Sequence, residues 1–289
     1  MSTVRLLVNP ARTRRSGVDD DILGQLSIRG VSAPPLRPAD TDEIGATIKA
    51  AHEQGMTRLL IAGGDGLIHH ALPAVAGSAI EIGVIGVGTG NDFARGLGLP
   101  SRLSDAVDVA LGPTRTVDLI TTTDGRLAAS VVTGGFSGTV NARANTMRFP
   151  SGQQRYTVAT LRELPSLEAV DLTLTVDGER HELSSAMFAV ANTRYFGGGM
   201  AICPDADPTD GRLDVTVVGP TTALTLGRML PTVFSGRHVR HPDVTVYRGS
   251  TIELSTDAPL WADGESFGPG DDVAFMTAGG ALRVASNLA

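Results

Sequence analysis

Leu59-Leu60-Ile61-Ala62-Gly63-Gly64-Asp65-Gly66-Leu67-Ile68-His69-His70 decides how the chain folds. An apolar run ends abruptly in Gly63-Gly64-Asp65-Gly66, and Leu67, Ile68, Ala71, Leu72 and Val75 follow at helical spacing, so the stretch reads as strand, glycine turn and helix. Such a turn suits phosphate. Glycines without Cβ atoms let backbone N–H groups approach an anion, and the following helix presents its unpaired N–H groups and the positive end of its dipole. Further along the pattern returns: Ile82-Gly83-Val84-Ile85-Gly86-Val87 runs into Gly88-Thr89-Gly90-Asn91-Asp92, then Phe93-Ala94-Arg95-Gly96-Leu97. Adjacent glycine turns imply one shared ligand, although glycine is also the ordinary solution to any tight strand-to-helix turn.

Around this centre the first part of the chain alternates. Val4 to Val8 reads as a strand stopped by Asn9-Pro10 and the polar, basic loop Ala11-Arg12-Thr13-Arg14-Arg15-Ser16-Gly17. Val18, Ile22, Leu23 and Leu26 recur at helical spacing, Pro34-Pro35 breaks the chain, and Asp40-Thr41-Asp42-Glu43 caps a helix expected from Ile44 to Gln54. Strand and helix alternate to Leu119, which predicts a parallel sheet with helices on both faces and a ligand crevice at the carboxyl ends of the strands. From about Thr122 strand-like runs dominate: Leu127 to Thr133, Val170 to Val176, Ala186 to Ala191, Leu213 to Val218, Val244 to Tyr247, Ile252 to Ser255, Val273 to Met276 and Leu282 to Val284. Asp177-Gly178 is a type I′ hairpin signal. Helical patterns interrupt at Val140 to Met147, Thr157 to Leu164 and Ala223 to Leu230. The expected plan is an α/β domain over residues 1–121 and a mainly antiparallel β-sandwich over 122–289, with the active site in the cleft between them.

Composition excludes several functions. The chain of 289 residues is 42% hydrophobic and 19% charged, as in ordinary soluble domains, with no apolar stretch long enough to span a bilayer. The apolar run at the N-terminus is too short for a signal peptide, so a cytoplasmic protein is expected. A lone cysteine, Cys203, excludes an intramolecular disulfide and a cysteine-cluster metal site. Net charge of −7 and 4% aromatic residues exclude nucleic acid as a partner. The acidic balance also argues against permanent adsorption to anionic membranes while leaving transient contact open. Lys49 is the only lysine, so neither a classical P-loop lysine nor a Schiff-base nucleophile is present.

GGDG and GTGND, in this order and spacing, resemble the nucleotide-binding motifs of the diacylglycerol kinase catalytic-domain superfamily, which includes bacterial lipid kinases and sphingosine and ceramide kinases; NAD kinases share the first motif. The resemblance implies ATP held by Asn9, Pro10, Gly63, Gly64, Asp65, Gly66, Leu67, Gly88, Thr89, Asn91 and Asp92, with Ser16-Gly17 as a longer form of the family's Ser-Gly turn. It also implies that the last segment returns to the first domain. The stretch from Asn192 through Gly197-Gly198-Gly199 to Pro204-Asp205-Ala206 and Asp210-Gly211-Arg212-Leu213-Asp214 is similar to the family's metal loop. Carried over, Asp210 holds Mg²⁺ with the carbonyls of Asp207 and Arg212, an oxygen-only set that suits a hard cation. Asp263-Gly264-Glu265 matches a further signature, which implies Glu265 as the base for the acceptor hydroxyl, Asp263 as its support and Asp65 as the group orienting the nucleotide's metal or phosphates. Phosphoryl transfer calls for such alignment and charge neutralisation more than for covalent chemistry. From the bare sequence, aspartates in a polar loop also cap turns, and Asp-Gly is also a good hairpin turn.

Leu67, His69 and His70 stand where the family usually has threonine, asparagine and glutamate, no threonine matches near Arg37, and Ser137 replaces an aspartate in Gly-Phe-Asp. Adjacent histidines on a helix point in different directions and make no metal site by themselves. Neither Ser16 nor Ser137 lies in a nucleophile elbow. The resemblance implies an ATP- and Mg²⁺-dependent kinase of a diacylglycerol-like lipid in phospholipid metabolism. It would be cytoplasmic with transient membrane-surface contact at the inner face, and open to forming a homodimer. Phe149, Tyr195, Phe196, Met200 and Phe234 are candidate linings for the lipid. A sphingoid-base or NAD kinase, or a catalytically impaired nucleotide- or lipid-binding homologue, are the alternatives.

Overall fold

The computed structural model describes residues 3–10, 17–147, 149 and 153–286. The basic loop 11–16, with Ser16, lies outside the described residues. The chain divides into two compact units, Met1–Asp118 with Gly279–Ala289, and Leu119–Ala278.

In the first unit the elements are β1 (Thr3–Val8), α1 (Val18–Ile28), β2 (Pro35–Leu36), α2 (Ile44–Glu53), β3 (Met56–Gly63), α3 (Asp65–Val75), β4 (Glu81–Gly86), α4 (Asp92–Gly96) and α5 (Leu103–Ala110), followed by β5 (Thr114–Thr122). Strand order is β2-β1-β3-β4, all parallel, and Arg283 and Val284 near the chain's end pair in parallel with Glu81 and Ile82 of β4. Side chains alternate across the sheet. Val4, Leu6, Val8, Leu60, Ala62 and Ile85 pack on Ile22 and Leu26 of α1 and on Ala106, Val107 and Ala110 of α5. Leu7, Leu59 and Ile61, equally buried, point to the opposite face by the two-residue period of a strand, and α2 and α3, which touch each other, both contact β3. Burial on both faces is what the continuous apolar run of β3 requires. At α2 the expected cap differs: Asp40 accepts the N–H groups of Asp42 and Glu43 at 3.0 and 3.1 Å, closing the turn before the helix rather than capping its first residue.

The second unit continues with β6 (Leu127–Ala128), β7 (Val131–Gly135), α6 (Phe136–Thr146), α7 (Gln153–Glu163), β8 (Val170–Val176), β9 (Glu179–Ser185), β10 (Met187–Ala191), β11 (Tyr195–Phe196), β12 (Met200–Ala201), β13 (Leu213–Val218), α8 (Ala223–Val233), β14 (Val244–Gly249), β15 (Thr251–Ser255), β16 (Leu260–Ala262), β17 (Glu265–Gly268) and β18 (Val273–Ala285). One antiparallel sheet runs β14-β13-β10-β7-β16-β17. The other pairs the first part of β18 with β15, β15 with β8 and β8 with β9, also antiparallel. Phe188, Val190, Leu213, Val215 and Leu260 from the first sheet meet Leu172, Leu174, Ile252, Leu254 and Phe275 from the second to form the sandwich core. On the outer face of the first sheet, Met187, Ala189 and Ala191 of β10 pack on Phe136 and Val140 of α6, Ala159 of α7 and Leu226, Met229 and Val233 of α8. β10 is therefore buried on both sides.

Several boundaries differ from the sequence expectation, each for a local reason. The run Leu127 to Thr133 is broken at Ala129-Ser130, whose N–H groups bond to the Asp263 carboxylate instead of to a neighbouring strand. Leu282 to Val284 and Val273 to Met276 belong to one strand, which runs on through the small, weakly apolar residues Thr277 to Ala281 with Gly280 at φ 60°. β9 carries only Leu183 as a large apolar residue and so gives no apolar signal; Asp177-Gly178, with φ of 47° and 91°, turns the chain into it as a type I′ hairpin does. α6 and α7 begin four residues before the expected patterns, α6 with the buried Phe136 followed by small residues and α7 in a polar first turn.

Candidate active site

The two glycine turns of the first unit are packed backbone to backbone. β3 ends at Gly63, Gly64 takes an extended conformation, and Asp65 opens α3. Gly63 pairs with Gly86 at the end of β4, Val8 pairs with Ala62, and so Asn9-Pro10 leaves β1 at the same carboxyl edge. A Cβ on Gly88 would lie 2.8 Å from the Gly64 amide nitrogen, which leaves glycine as the only residue that fits. Asn91 fixes the second loop: in the left-handed region at φ 54°, its Oδ1 accepts the Gly88 N–H at 2.9 Å and its Nδ2 donates to the Gly88 carbonyl at 3.1 Å. Asp65 joins the loops by accepting the Phe93 N–H at 2.9 Å, so the first motif's carboxylate caps the helix of the second. Asp92 is buried, while Gly88 and Thr89 are exposed at the tip. Leu67 turns inward, its Cδ2 only 2.5 Å from where a Gly63 Cβ would stand, and its place in the site is that of packing. His69 and His70 are half-buried with their rings edge to face at 5.8 Å.

In the second unit Asp263-Gly264 forms the turn between β16 and β17, both residues at positive φ, 53° and 91°. The Asp263 carboxylate accepts the N–H groups of Ala129 and Ser130 at 2.8 and 2.9 Å. Asn192 holds the same two residues from the other side: its Nδ2 donates to the Ala129 carbonyl at 3.0 Å and its backbone N–H to that of Ser130 at 2.9 Å. Asp263 thus anchors the turn, and Glu265, half-buried at the start of β17, is the carboxylate this anchoring positions.

Beside this turn lies an apolar pocket of about 600 Å³ including its open mouth. Phe136, Met187, Phe196, Met200, Leu226 and Val233 line it, with Ser137 and Tyr156 among the few polar groups. The Ser137 hydroxyl donates to the Gly134 carbonyl at 3.0 Å. The Tyr156 hydroxyl is 3.7 Å from where a Cβ on Gly264 would stand, so this ring reaches from the pocket to the Asp-Gly-Glu turn. Of the linings named from sequence, Phe196 and Met200 are in the pocket, whereas Phe149 and Phe234 are exposed. Tyr156 was missed because it belongs to no motif and sits on a helix with a polar start.

The acidic loop is tightly wound. Asp207 accepts the N–H and hydroxyl of Thr209 at 3.0 and 2.7 Å, and Asp210 accepts the Arg212 N–H at 2.9 Å while pairing with Arg248. Arg248 was also invisible to motif reading; the β13–β14 register sets it opposite Asp214. Burial pushes Asp214 up to about 6, with Arg248 opposing and Asp210, Asp205 and Asp207 adding to the rise. The loop thus keeps an excess of negative charge even beside its arginine. Among the described residues no group of three or more His, Cys, Asp or Glu side chains is arranged around a metal position. A hard cation here would have to share Asp210 with Arg248 and complete its shell with main-chain oxygens.

The sequence matches two families: the diacylglycerol kinase catalytic domain over residues 3–122, and the YegS C-terminal NAD kinase beta sandwich-like domain over residues 130–286. A diacylglycerol kinase of Mycobacterium tuberculosis is 35% identical over 272 residues, covering 91% of this chain and 88% of the relative. One from Staphylococcus saprophyticus is 30% identical over 233 residues, 78% of this chain and 76% of the relative. A crystal structure of a diacylglycerol kinase from Bacillus anthracis superposes with a TM-score of 0.74 at 17% identity, covering 99% of this chain and 97% of that one, which shows the shared fold. With its two glycine turns, its sandwich and its Asp-Gly-Glu turn, the chain belongs to the diacylglycerol kinase catalytic-domain family, phosphotransferases with an alcohol group as acceptor.

Proposed function

We propose that the protein transfers the γ-phosphoryl group of ATP to the hydroxyl of a diacylglycerol-like lipid, giving a phosphatidic-acid-like product and ADP. The observation that carries the acceptor is the seating of Tyr156, whose ring lines the apolar pocket and whose hydroxyl lies beside Gly264. Acyl chains in such a pocket leave a polar headgroup beside Glu265. There the Glu265 carboxylate takes the proton as the lipid oxygen bonds to the γ-phosphorus, and the bond from that phosphorus to the β,γ-bridging oxygen breaks. Asp263 acts through its hold on Ala129 and Ser130, fixing the turn that carries the base. In the first unit, Gly64, Gly66, Gly88 and Thr89 cradle phosphates at the start of α3, Asn91 and Asp92 shape the loop, and Asn9-Pro10 bounds the nucleotide. Asp65 would orient the bound phosphates and any metal they carry. Asp210, with the carbonyls of Asp207 and Arg212, would hold Mg²⁺, which would supply charge neutralisation there. The reaction takes place in the cytoplasm during transient contact with the inner membrane face, since the nucleotide is soluble and the acceptor is not.

The test is transfer of label from γ-labelled ATP with Mg²⁺ to a panel of diacylglycerol, ceramide, sphingosine and NAD, with calorimetric titration of ATP alongside. Labelled diacylglycerol is expected. Label in sphingosine or NAD alone would replace the acceptor, and ATP binding without labelled product would replace the kinase by a nucleotide-binding homologue.

A further inference from the structure

Six large apolar side chains are exposed among the described residues, and four of them, Phe149, Leu161, Leu224 and Phe234, belong to segments 136–167 and 220–241, which supply the helices of the pocket. Leu161 is 56% and Leu224 62% exposed, next to pocket-lining Thr160 and Leu226 on α7 and α8. The same segments carry seven arginines and a single acidic residue, Glu163, and Glu163 is paired with Arg143 at 2.5 Å. Arg162, Arg228, Arg237 and Arg240 are exposed. The remainder of the chain holds 17 basic and 30 acidic residues. A chain with net charge −7 thus gathers its positive charge and its exposed apolar groups on the segments that form one pocket.

We propose that this face docks on an anionic lipid bilayer, Leu161, Leu224 and Phe234 entering the headgroup boundary while the arginines meet lipid phosphates. The proposal rests on the pocket being the acceptor site: a lipid could then pass from bilayer to pocket without crossing water. A second copy of the chain is a poorer occupant, because a two-fold contact sets the same arginines against one another. No helix of the described residues is long and apolar enough to cross a membrane, so the contact is interfacial.

The test is cosedimentation of the full chain with phosphatidylglycerol or phosphatidylcholine vesicles, using L161S/L224S/F234S and R162Q/R228Q variants. Sedimentation with the anionic vesicles is expected, weakened at least about tenfold in the apolar variant and about twenty-five-fold in the arginine variant, at about fivefold for each arginine near the surface. Circular dichroism checks the fold of both variants. Each should still phosphorylate a short-chain diacylglycerol dissolved as monomer. The proposal is overturned if the unmodified chain does not sediment with anionic vesicles, if the variants sediment as well as it does, or if the face instead holds a dimer that the variants dissociate. Failure of the unmodified chain to phosphorylate dissolved diacylglycerol would overturn the acceptor reading, while sedimentation still reports on docking by itself.

Discussion

Gly88 stands so close to Gly64 that a Cβ on it would meet the Gly64 amide nitrogen at 2.8 Å, which makes the two glycine turns one object. Gly88→Ala must push one loop off the other. Overpacking of this kind costs about 1–3 kcal/mol, and thermal unfolding should register it. Calorimetry should show ATP affinity lowered at least tenfold. Gly24→Ala on α1 is the control, since its added Cβ meets nothing within 4 Å. An unaltered ATP affinity in Gly88→Ala would separate the turns from the nucleotide.

Asp65 has two separable tasks. Asp65→Ala leaves the N–H of buried Phe93 without this acceptor and should lower stability by about 1–3 kcal/mol. Asp65→Asn keeps an acceptor oxygen and should unfold within about 1 kcal/mol of the parent, yet lose most phosphoryl transfer. Parental kcat and KM for ATP in Asp65→Asn would remove the carboxylate from the nucleotide site.

The neighbouring carboxylates of the Asp-Gly-Glu turn should respond in opposite ways. Asp263→Ala strips the N–H groups of Ala129 and Ser130 of their acceptor and should cost about 2–4 kcal/mol of stability. Glu265→Gln replaces a half-buried group by an isostere; stability should stay within about 0.5 kcal/mol while turnover is abolished. Denaturant unfolding paired with turnover distinguishes them, and an active Glu265→Gln would exclude Glu265 as the base.

His238 should give the unfolding free energy a defined pH slope. It is buried, its Nε2 lies 3.0 Å from the Ile202 carbonyl, and burial holds its pKa below the usual histidine value. Above the ordinary value, about 6.5, neither the folded nor the unfolded form is protonated, and the residue contributes no slope. Below it the unfolded chain takes up a proton that the folded chain refuses, so stability falls as pH drops toward the folded pKa. His238→Gln should flatten that decline in denaturant titrations below about pH 6.5. An identical slope in the variant would assign the decline to other groups.

The parallel unit was legible because each glycine turn interrupts a strongly apolar strand, and period and punctuation there agree. The sandwich was legible in its central strands for the same reason. β9 was not, because an edge strand with polar residues on both faces carries no apolar period. The motif residues stand out in the sequence, but the contacts that hold them do not. That Asp263 spends its carboxylate on Ala129 and Ser130 depends on residues more than a hundred positions away, and Tyr156 and Arg248 enter only through helix packing and strand register. The inward turn of Leu67 is likewise set by contact with Gly63.

The two-sided burial of β10 limits how the wall of the apolar pocket can change. A substitution at Phe188 or Val190 disturbs the sandwich, and one at Ala189 or Ala191 disturbs the helices outside it, so this strand is a poor place to accumulate change. Variation tolerated by the fold is left to the partly buried pocket residues Phe196 and Met200. Selection for a reshaped pocket would be expected to leave its record there, with the strand behind them nearly invariant.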